Sequence, residues 1–438
     1  MLSAADNELM CRVSEGTPMG NLMREYWIPF MFSWELETDG SPERTKLLGE
    51  ALVVFRDSSG KVGLIAENCP HRGASLYFGR NENGGLACIY HGWKFDADGD
   101  CVDMPSEPAT SNFHEKVHPI SYPVVEKAGI MWAYMGSANV PPPLPGLEWL
   151  DLPEDQIVAN KRVQLTNWVQ GMEGDLDQSH LSFTHRFLNI NPDSLRSGVD
   201  VIRTNDTHPH FEVTKTDYGT LVACSRESGD GRKYWRISQH MMPFHTITPP
   251  YGENPTRNWR AWVPIDDENC FVIGLTFHPT KAFTDEQREM IEARASVWTI
   301  SPHYRAPKTS EAHGRWKVLL TIENDFGLDR ELQKTFIYSG LKEFWAQDAA
   351  PQLTMGRIYN RTKEHLGTSD TGIIAMRRRL TEAAKKHAED GLTPPEVLSP
   401  EVYQVRADAL FLEPDESWYD GSAVRRKVSL SNNPDSPK

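Results

Sequence analysis

Two short stretches, Cys69-Pro-His71-Arg-Gly73 and Cys88-Ile-Tyr-His91-Gly-Trp93, decide how this chain is read. Each supplies one cysteine and one histidine. A structural zinc site more often draws two cysteines from one knuckle and two histidines from one helix. An interleaved Cys-x-His and Cys-x-x-His pair suits a [2Fe–2S] cluster, with the thiolates on one iron and the imidazoles on the other. Structural zinc stands as the alternative. Gly73, Gly92 and Pro70 fit loops whose backbone must come close to cluster sulfides.

Outward from these loops, the run from Trp27 to Met135 is built of short segments rich in Val, Ile and Phe. Ala51–Phe55 and Val62–Ile65, on either side of Asp57-Ser-Ser-Gly60, predict a hairpin opening a small antiparallel β-domain over residues 27–139. Residues 1–26 read as a helical segment, with a helix start at Thr17-Pro18 and Leu22-Met23 facing inward. Val140-Pro-Pro-Pro-Leu-Pro145 can continue neither element and marks a linker. A second domain over 146–405 mixes strands at Val163–Trp168, Phe211–Thr216, Tyr234–Ile237 and Cys270–Phe277 with helices at 173–185, 284–297, 341–352 and 372–386. The chain is therefore expected to be α+β, with residues 406–438 a polar tail that wraps the surface or is partly disordered.

Within Asn167–His185, Glu173, Asp177 and His180 fall at i, i+4 and i+7 and so share a helical face. Such a stripe is costly to bury unless it serves a metal or a proton path. His185 lies about 140° further round a regular helix, so a helix end or a π-bulge must intervene if both histidines reach one metal. Far downstream, Leu341, Phe344, Trp345 and Asp348 form one stripe, which points Asp348 into the core, where a carboxylate requires a cation. Asp325, Asp329 and Glu331 lack that apolar context and read as solvated. Asp348 is therefore a candidate to meet a metal, with a structural ion pair as the alternative.

A net charge of −15 argues against nucleic acid or an anionic membrane surface as partner. No run approaches the roughly 18 apolar residues of a membrane span, and no secretory signal opens the chain. Six cysteines in 438 residues are no disulfide framework, so a reducing cytoplasm is expected.

The two loops resemble the Rieske motif, a resemblance that covers the whole Trp27–Met135 region. Respiratory Rieske centres add a disulfide where this chain has Ala74 and Tyr90, and a serine where it has Trp93, so the likeness is to the oxygenase class. Met355–Asp370, Ile373–Leu380, Gly16–Gly20 and Tyr26–Pro29 resemble the phthalate dioxygenase branch of the Rieske non-haem iron oxygenases. That resemblance implies an N-terminal Rieske domain, a helix-grip catalytic domain with an antiparallel sheet, and homotrimers or stacked trimers. It implies one [2Fe–2S] cluster on Cys69, His71, Cys88 and His91, and one mononuclear iron on His180, His185 and Asp348. Asp177 is then the catalytic bridge that carries electrons from one subunit's cluster to its neighbour's iron.

No dinucleotide or flavin motif appears, so no bound NAD or flavin is expected and a separate NAD(P)H-dependent reductase or ferredoxin must supply electrons. The branch departs at His210, where phthalate-acting members carry an arginine, and at Leu353, where an acid is common. Arg203, Arg232 and Arg236 are candidates to hold a substrate carboxylate, with surface solvation as the alternative for each. The expectation leans to O-demethylation of a lignin-derived, dehydrodivanillate-like biaryl acid, against ring cis-dihydroxylation of a phthalate-like acid. A non-catalytic electron carrier or zinc-stabilised binding protein would leave His180, His185 and Asp348 unexplained.

Overall fold

The computed structural model describes residues 2–190, 197–251, 256–292 and 301–428. Two short helices open the chain. Ala4–Cys11 is capped by Ser3, and Pro18–Arg24 by Thr17, whose hydroxyl accepts from the Gly20 N–H. Leu22 and Met23 are fully buried beneath them. The region that follows holds three small antiparallel sheets. One pairs Trp27–Phe32 with Ile130–Tyr134 and Val124–Lys127, and the second is the meander Glu43–Leu47, Glu50–Arg56 and Val62–Ala66. The third runs through Arg80–Glu82, Gly85–Ala87, Lys94–Phe95 and Cys101–Asp103. The expected hairpin closes at Asp57, whose carboxylate accepts from the Ser59 and Lys61 amides while Gly60 takes φ +87°.

The metal-loop region has its own core of Val53, Phe55, Ile65, Leu86 and Phe95. The main core is continuous from the N-terminal helices through Trp132 to the second half of the chain. There Trp149 sits between Trp132 and Trp259, with ring centroids 5.9 and 4.8 Å away. The proline-rich linker is strapped down where the Trp27 indole donates to the Pro142 carbonyl at 2.7 Å.

The second half is built on one antiparallel eight-stranded sheet. From one edge the order of seven is Ile157–Gln164, Cys270–Phe277, Arg257–Pro264, His245–Thr248, Lys233–Met241, Gly219–Glu227 and His210–Lys215, and the eighth, Asp408–Leu412, pairs with Lys233–Met241 off this path. Cys270–Phe277 lies where its largely apolar run predicts it. The strand expected at 163–168 is instead Ile157–Gln164, because Asn167 caps a helix that starts at Trp168. The helices expected at 341–352 and 372–386 are Phe344–Thr354 and Thr371–Asp390, the latter stopped by Gly391 at φ +64°. That expected at 284–297 is Asp285–Met290, with residues 293–297 outside the described ones.

The C-terminal tail requires a correction. Residues 408–412 form a strand paired with Lys233–Ile237, and Trp418–Gly421 is a short helix. Leu412 and Trp418 bury against Leu221 and Trp235, and the Trp418 indole donates to Glu212 at 2.7 Å. The apolar residues among the polar ones therefore take up a sheet edge; residues 429–438 lie outside the described chain. Trp418→Ala should cost ~3–5 kcal/mol, as an emptied aromatic site does. The check is a lowered urea midpoint followed by far-UV circular dichroism.

Candidate metal centres

The two N-terminal loops adopt the same turn. The Cys69 amide donates to Ala74 and that of Gly73 back to Cys69, both at 2.8 Å. In the second loop Cys88 donates to Trp93 and Gly92 back to Cys88, both at 2.9 Å. Gly73 and Gly92 both take φ +77°, and a Cβ on Gly92 would sit 2.6 Å from Pro105 Cγ. Cys69 and Cys88 are buried, while His71 and His91 are half-buried with rings 4.4 Å apart. Trp93 stacks on His71 at 4.3 Å. Burial, reinforced by neighbouring Cys88, pushes the Cys69 thiol up to about 11. The His71 Nδ1 is buried with no hydrogen-bond partner. Two buried thiols and an orphaned imidazole nitrogen are a donor set that fits a [2Fe–2S] cluster. His91 points its Nε2 to Arg72, 2.7 Å away, and the Arg72 guanidinium lies over the Tyr90 ring.

The second group corrects the expected helix at 173–185. The helix is Trp168–Leu176 and ends at Asp177, whose backbone is extended (φ −78°, ψ 105°). The Asp177 carboxylate accepts from the Ser179 amide at 2.7 Å and the His180 amide at 3.3 Å, a local turn that competes with the next helical hydrogen bonds. A single 3-10 turn, His180–Ser182, follows. Glu173, Asp177 and His180 therefore do not share a continuous helix face. Glu173 turns away to Arg361 and Arg377, at 3.0 and 2.8 Å, which hold its carboxyl low against the opposing effect of burial.

This break brings the two histidines together. One ligand atom from each of His180, His185 and Asp348 lies within 4.8 Å of the others. His185 Nε2 is 3.0 Å and His180 Nε2 3.4 Å from the same oxygen of Asp348. Burial alone would raise the Asp348 carboxyl, but the two histidines outweigh it and hold it at about 2. Two imidazoles and one ionised carboxylate, with their free atoms converging, suit a divalent metal such as Fe(II). Asp177 stays one step outside, with its carboxylate 3.5 Å from His180 Nδ1. Asp325, Asp329 and Glu331 are solvent-exposed, as their sequence context suggests.

Sequence reasoning missed what supports the site. Phe344 stacks on His185 at 3.9 Å, and Gln347 Oε1 accepts from His185 Nδ1 at 2.7 Å. Asp175 takes the Trp262 indole at 2.7 Å, the Thr246 hydroxyl at 2.6 Å and the Arg260 guanidinium, pinning the helix end to the sheet. A cavity opens over the three ligands, walled by Phe344, Thr248, Tyr251, Asn258 and Arg236. Of the three arginines, Arg236 lines it, with its guanidinium 4.9 Å from the Tyr251 ring. Arg203 is buried behind Tyr251, paired with Asp200, and its Nε and Nη1 have no hydrogen-bond partner. Arg232 sits half-exposed in the turn before Lys233–Met241, paired with Asp230 at 2.7 Å, and does not line the cavity.

Residues 26–114 match the Rieske [2Fe-2S] domain family and residues 133–396 the LigXa C-terminal domain like family. The chain is 39% identical over 431 residues to the 3-chlorobenzoate-3,4-dioxygenase oxygenase subunit of Comamonas testosteroni, covering 98% of this chain and 100% of that one. It is 32% identical over 393 residues to the 5,5'-dehydrodivanillate O-demethylase oxygenase subunit of Sphingobium sp. SYK-6, covering 88% and 81%. Among solved structures, the reduced complex between oxygenase and ferredoxin in carbazole 1,9a-dioxygenase matches with a TM-score of 0.55 at 21% identity, covering 89% of this chain and 98% of that one.

The two donor sets are separate, so they should fail separately. His180→Ala, His185→Ala or Asp348→Ala should each lose the metal at the second site while the visible absorbance of the first persists. Metal analysis beside the absorption spectrum reads both; full metal content in Asp348→Ala would move the third ligand elsewhere.

Proposed function

The chain belongs to the Rieske non-haem iron oxygenases, which hold one [2Fe–2S] cluster and one mononuclear iron, and from that premise we propose that it is the terminal oxygenase of a multi-component system acting on a carboxylated aromatic compound. The observation that carries this reading is the triad of His180, His185 and Asp348 at the floor of a cavity whose wall holds a buried arginine. When bound there, Fe(II) supplies the O2 activation, and the protein's share is to position the ring, exclude water and deliver electrons. Phe344 and Tyr251 offer faces against which an aromatic ring packs, and Arg236 offers the positive end.

Arg236 is rigid. Its guanidinium donates to Gln178 Oε1 at 2.9 Å and to the Pro250 and Pro249 carbonyls at 3.0 and 3.1 Å, so few N–H groups are left for substrate. One such buried cation suits a single carboxylate rather than the two of phthalate. Arg203, behind Tyr251, is neutralised by its ion pair with Asp200. Arg232, held by Asp230 in an exposed turn, leaves the set of anchors in this reading.

Ring dioxygenation of an aromatic monoacid is the reading best supported, because the relative aligned over 98% of the chain is named a 3-chlorobenzoate dioxygenase. This moves the lean that the sequence alone gave towards O-demethylation. Demethylation of a methoxyaromatic acid stands second, on the likeness to the dehydrodivanillate O-demethylase subunit. The products separate them: dioxygenation leaves both oxygens on the ring, whereas demethylation releases formaldehyde. Turnover of benzoates and methoxybenzoates with a surrogate reductase, with products read by mass and formaldehyde assayed, tests both; no oxidation of any aromatic acid would end the proposal.

Electrons come from a separate reductase or ferredoxin. No described helix is long and apolar enough to cross a membrane, and none of the six cysteines is paired in a disulfide, which suits a reducing compartment. In a homotrimer, His91 of one subunit would meet Asp177 of the next, linking cluster to iron through a carboxylate between two imidazoles. His180 and the Ser179 amide keep the Asp177 carboxyl low despite its burial, so it stands ready as an acceptor.

Two outcomes test this reading. Asp177→Asn should retain both metals and the oligomer yet lose nearly all turnover, with its reduced cluster staying reduced under O2 and substrate in stopped-flow absorbance. Arg236→Leu should raise KM for an aromatic acid by about 10- to 100-fold, the loss of a ~1.5–3 kcal/mol charged hydrogen bond. Steady-state kinetics on the acid and its uncharged amide would show the loss confined to the acid.

A further inference from the structure

The buried amide beside His185 has one chemically allowed orientation. Gln347 Nε2 donates to the Leu341 carbonyl at 2.7 Å, and the other end of the amide lies 2.7 Å from His185 Nδ1. A backbone carbonyl only accepts, so the nitrogen must face Leu341 and the oxygen must face the ring. An amide oxygen only accepts as well. The proton of a neutral His185 is thereby confined to Nδ1, and the Nε2 lone pair is left aimed at the Asp348 oxygen 3.0 Å away. Both His185 and Gln347 are buried, at 2% and 3% exposure, so no solvent competes for either contact.

We propose that Gln347 is the positioning residue that fixes the tautomer and the ring angle of His185, and so decides whether its Nε2 is presented to the metal. The proposal rests on the reading of His185 as an iron ligand. One helical turn then carries three separate duties: Phe344 stacks against the ring, Gln347 holds its outer nitrogen, and Asp348 stands at its inner one. The two histidines are also unequal. His180 has a carboxylate 3.5 Å from its outer nitrogen, whereas His185 has a neutral amide at 2.7 Å. A carboxylate partner makes an imidazole a stronger donor than an amide does, so His185 is held as the weaker, stiffer ligand of the pair.

The test uses the full-length protein, with its [2Fe–2S] absorbance reporting that each variant is folded. Gln347→Met keeps the size and removes the acceptor. Fe(II) affinity, by chelator competition, should fall about 10- to 100-fold, with an altered EPR spectrum of the ferrous nitric oxide adduct. Gln347→Glu restores an acceptor at the same place. It should recover most of the affinity with a spectrum distinct from wild type, because its stronger acceptor makes His185 the better donor. A merely structural role predicts that Met and Glu variants lose iron equally, and that result overturns the proposal. Wild-type affinity and spectrum in Gln347→Met overturn it too. Should Gln347→Met fail to fold, the Glu variant decides alone: iron held with a shifted spectrum supports the proposal, and iron lost sinks it. His185→Ala serves as the reference. If it keeps its iron, the ligand assignment itself fails; if it loses iron while Gln347→Met does not, only this inference fails.

Discussion

The site depends on the helix Trp168–Leu176 stopping where it does. A carboxylate at position 177 that satisfies two amides downstream offers the backbone an alternative to the next turn of helix. Had the helix continued, His180 and His185 would project in different directions and only one could meet Asp348, which comes from a segment 163 residues further along. The same residue that ends the helix also lies against the outer nitrogen of His180. Helix termination and ligand orientation are thus one local event, and the sequence separation between ligands matters little once that event is fixed.

A helix end that carries ligands must not drift, and the surrounding charges hold it. Asp175, one residue before the last of the helix, is met by a guanidinium, an indole N–H and a hydroxyl, all from the sheet beneath. Glu173 is clamped by Arg361 and Arg377, and Arg377 also reaches Glu364 at 2.6 Å. Buried ions add little net stability over well-packed apolar residues, but removing one partner of such a pair is costly. Their value here is directional: hydrogen bonds fix the helix's rotation about its own axis, which apolar packing against Trp262 alone would leave looser.

Much of this was legible in the residues. The cluster loops announce themselves because glycine at positive φ and the Cys-x-His spacing are both local features. The apolar stripe around Asp348 is equally local, and the strand Cys270–Phe277 is a continuous apolar run. The misreadings have a common cause. The face shared by Glu173, Asp177 and His180 presumes an unbroken helix, and periodicity cannot see a side chain bonding to its own backbone. The polar tail conceals the strand Asp408–Leu412 because pairing with Lys233–Ile237 is a long-range choice. Arg232 and Arg236 are indistinguishable by composition; only the turn at Asp230 separates an exposed ion pair from a cavity wall. Gln347 gave no sign at all, since its role exists only once two distant backbones meet.

The packed indoles of Trp132, Trp149 and Trp259 join the sheet that begins and ends the N-terminal half to the strand Arg257–Pro264. With all three fully buried in one continuous core, the two halves cannot swing about the proline-rich linker without opening that core to water. The relative placement of the two metal centres within a chain is therefore set once, when the protein folds, as in a casting rather than a hinge.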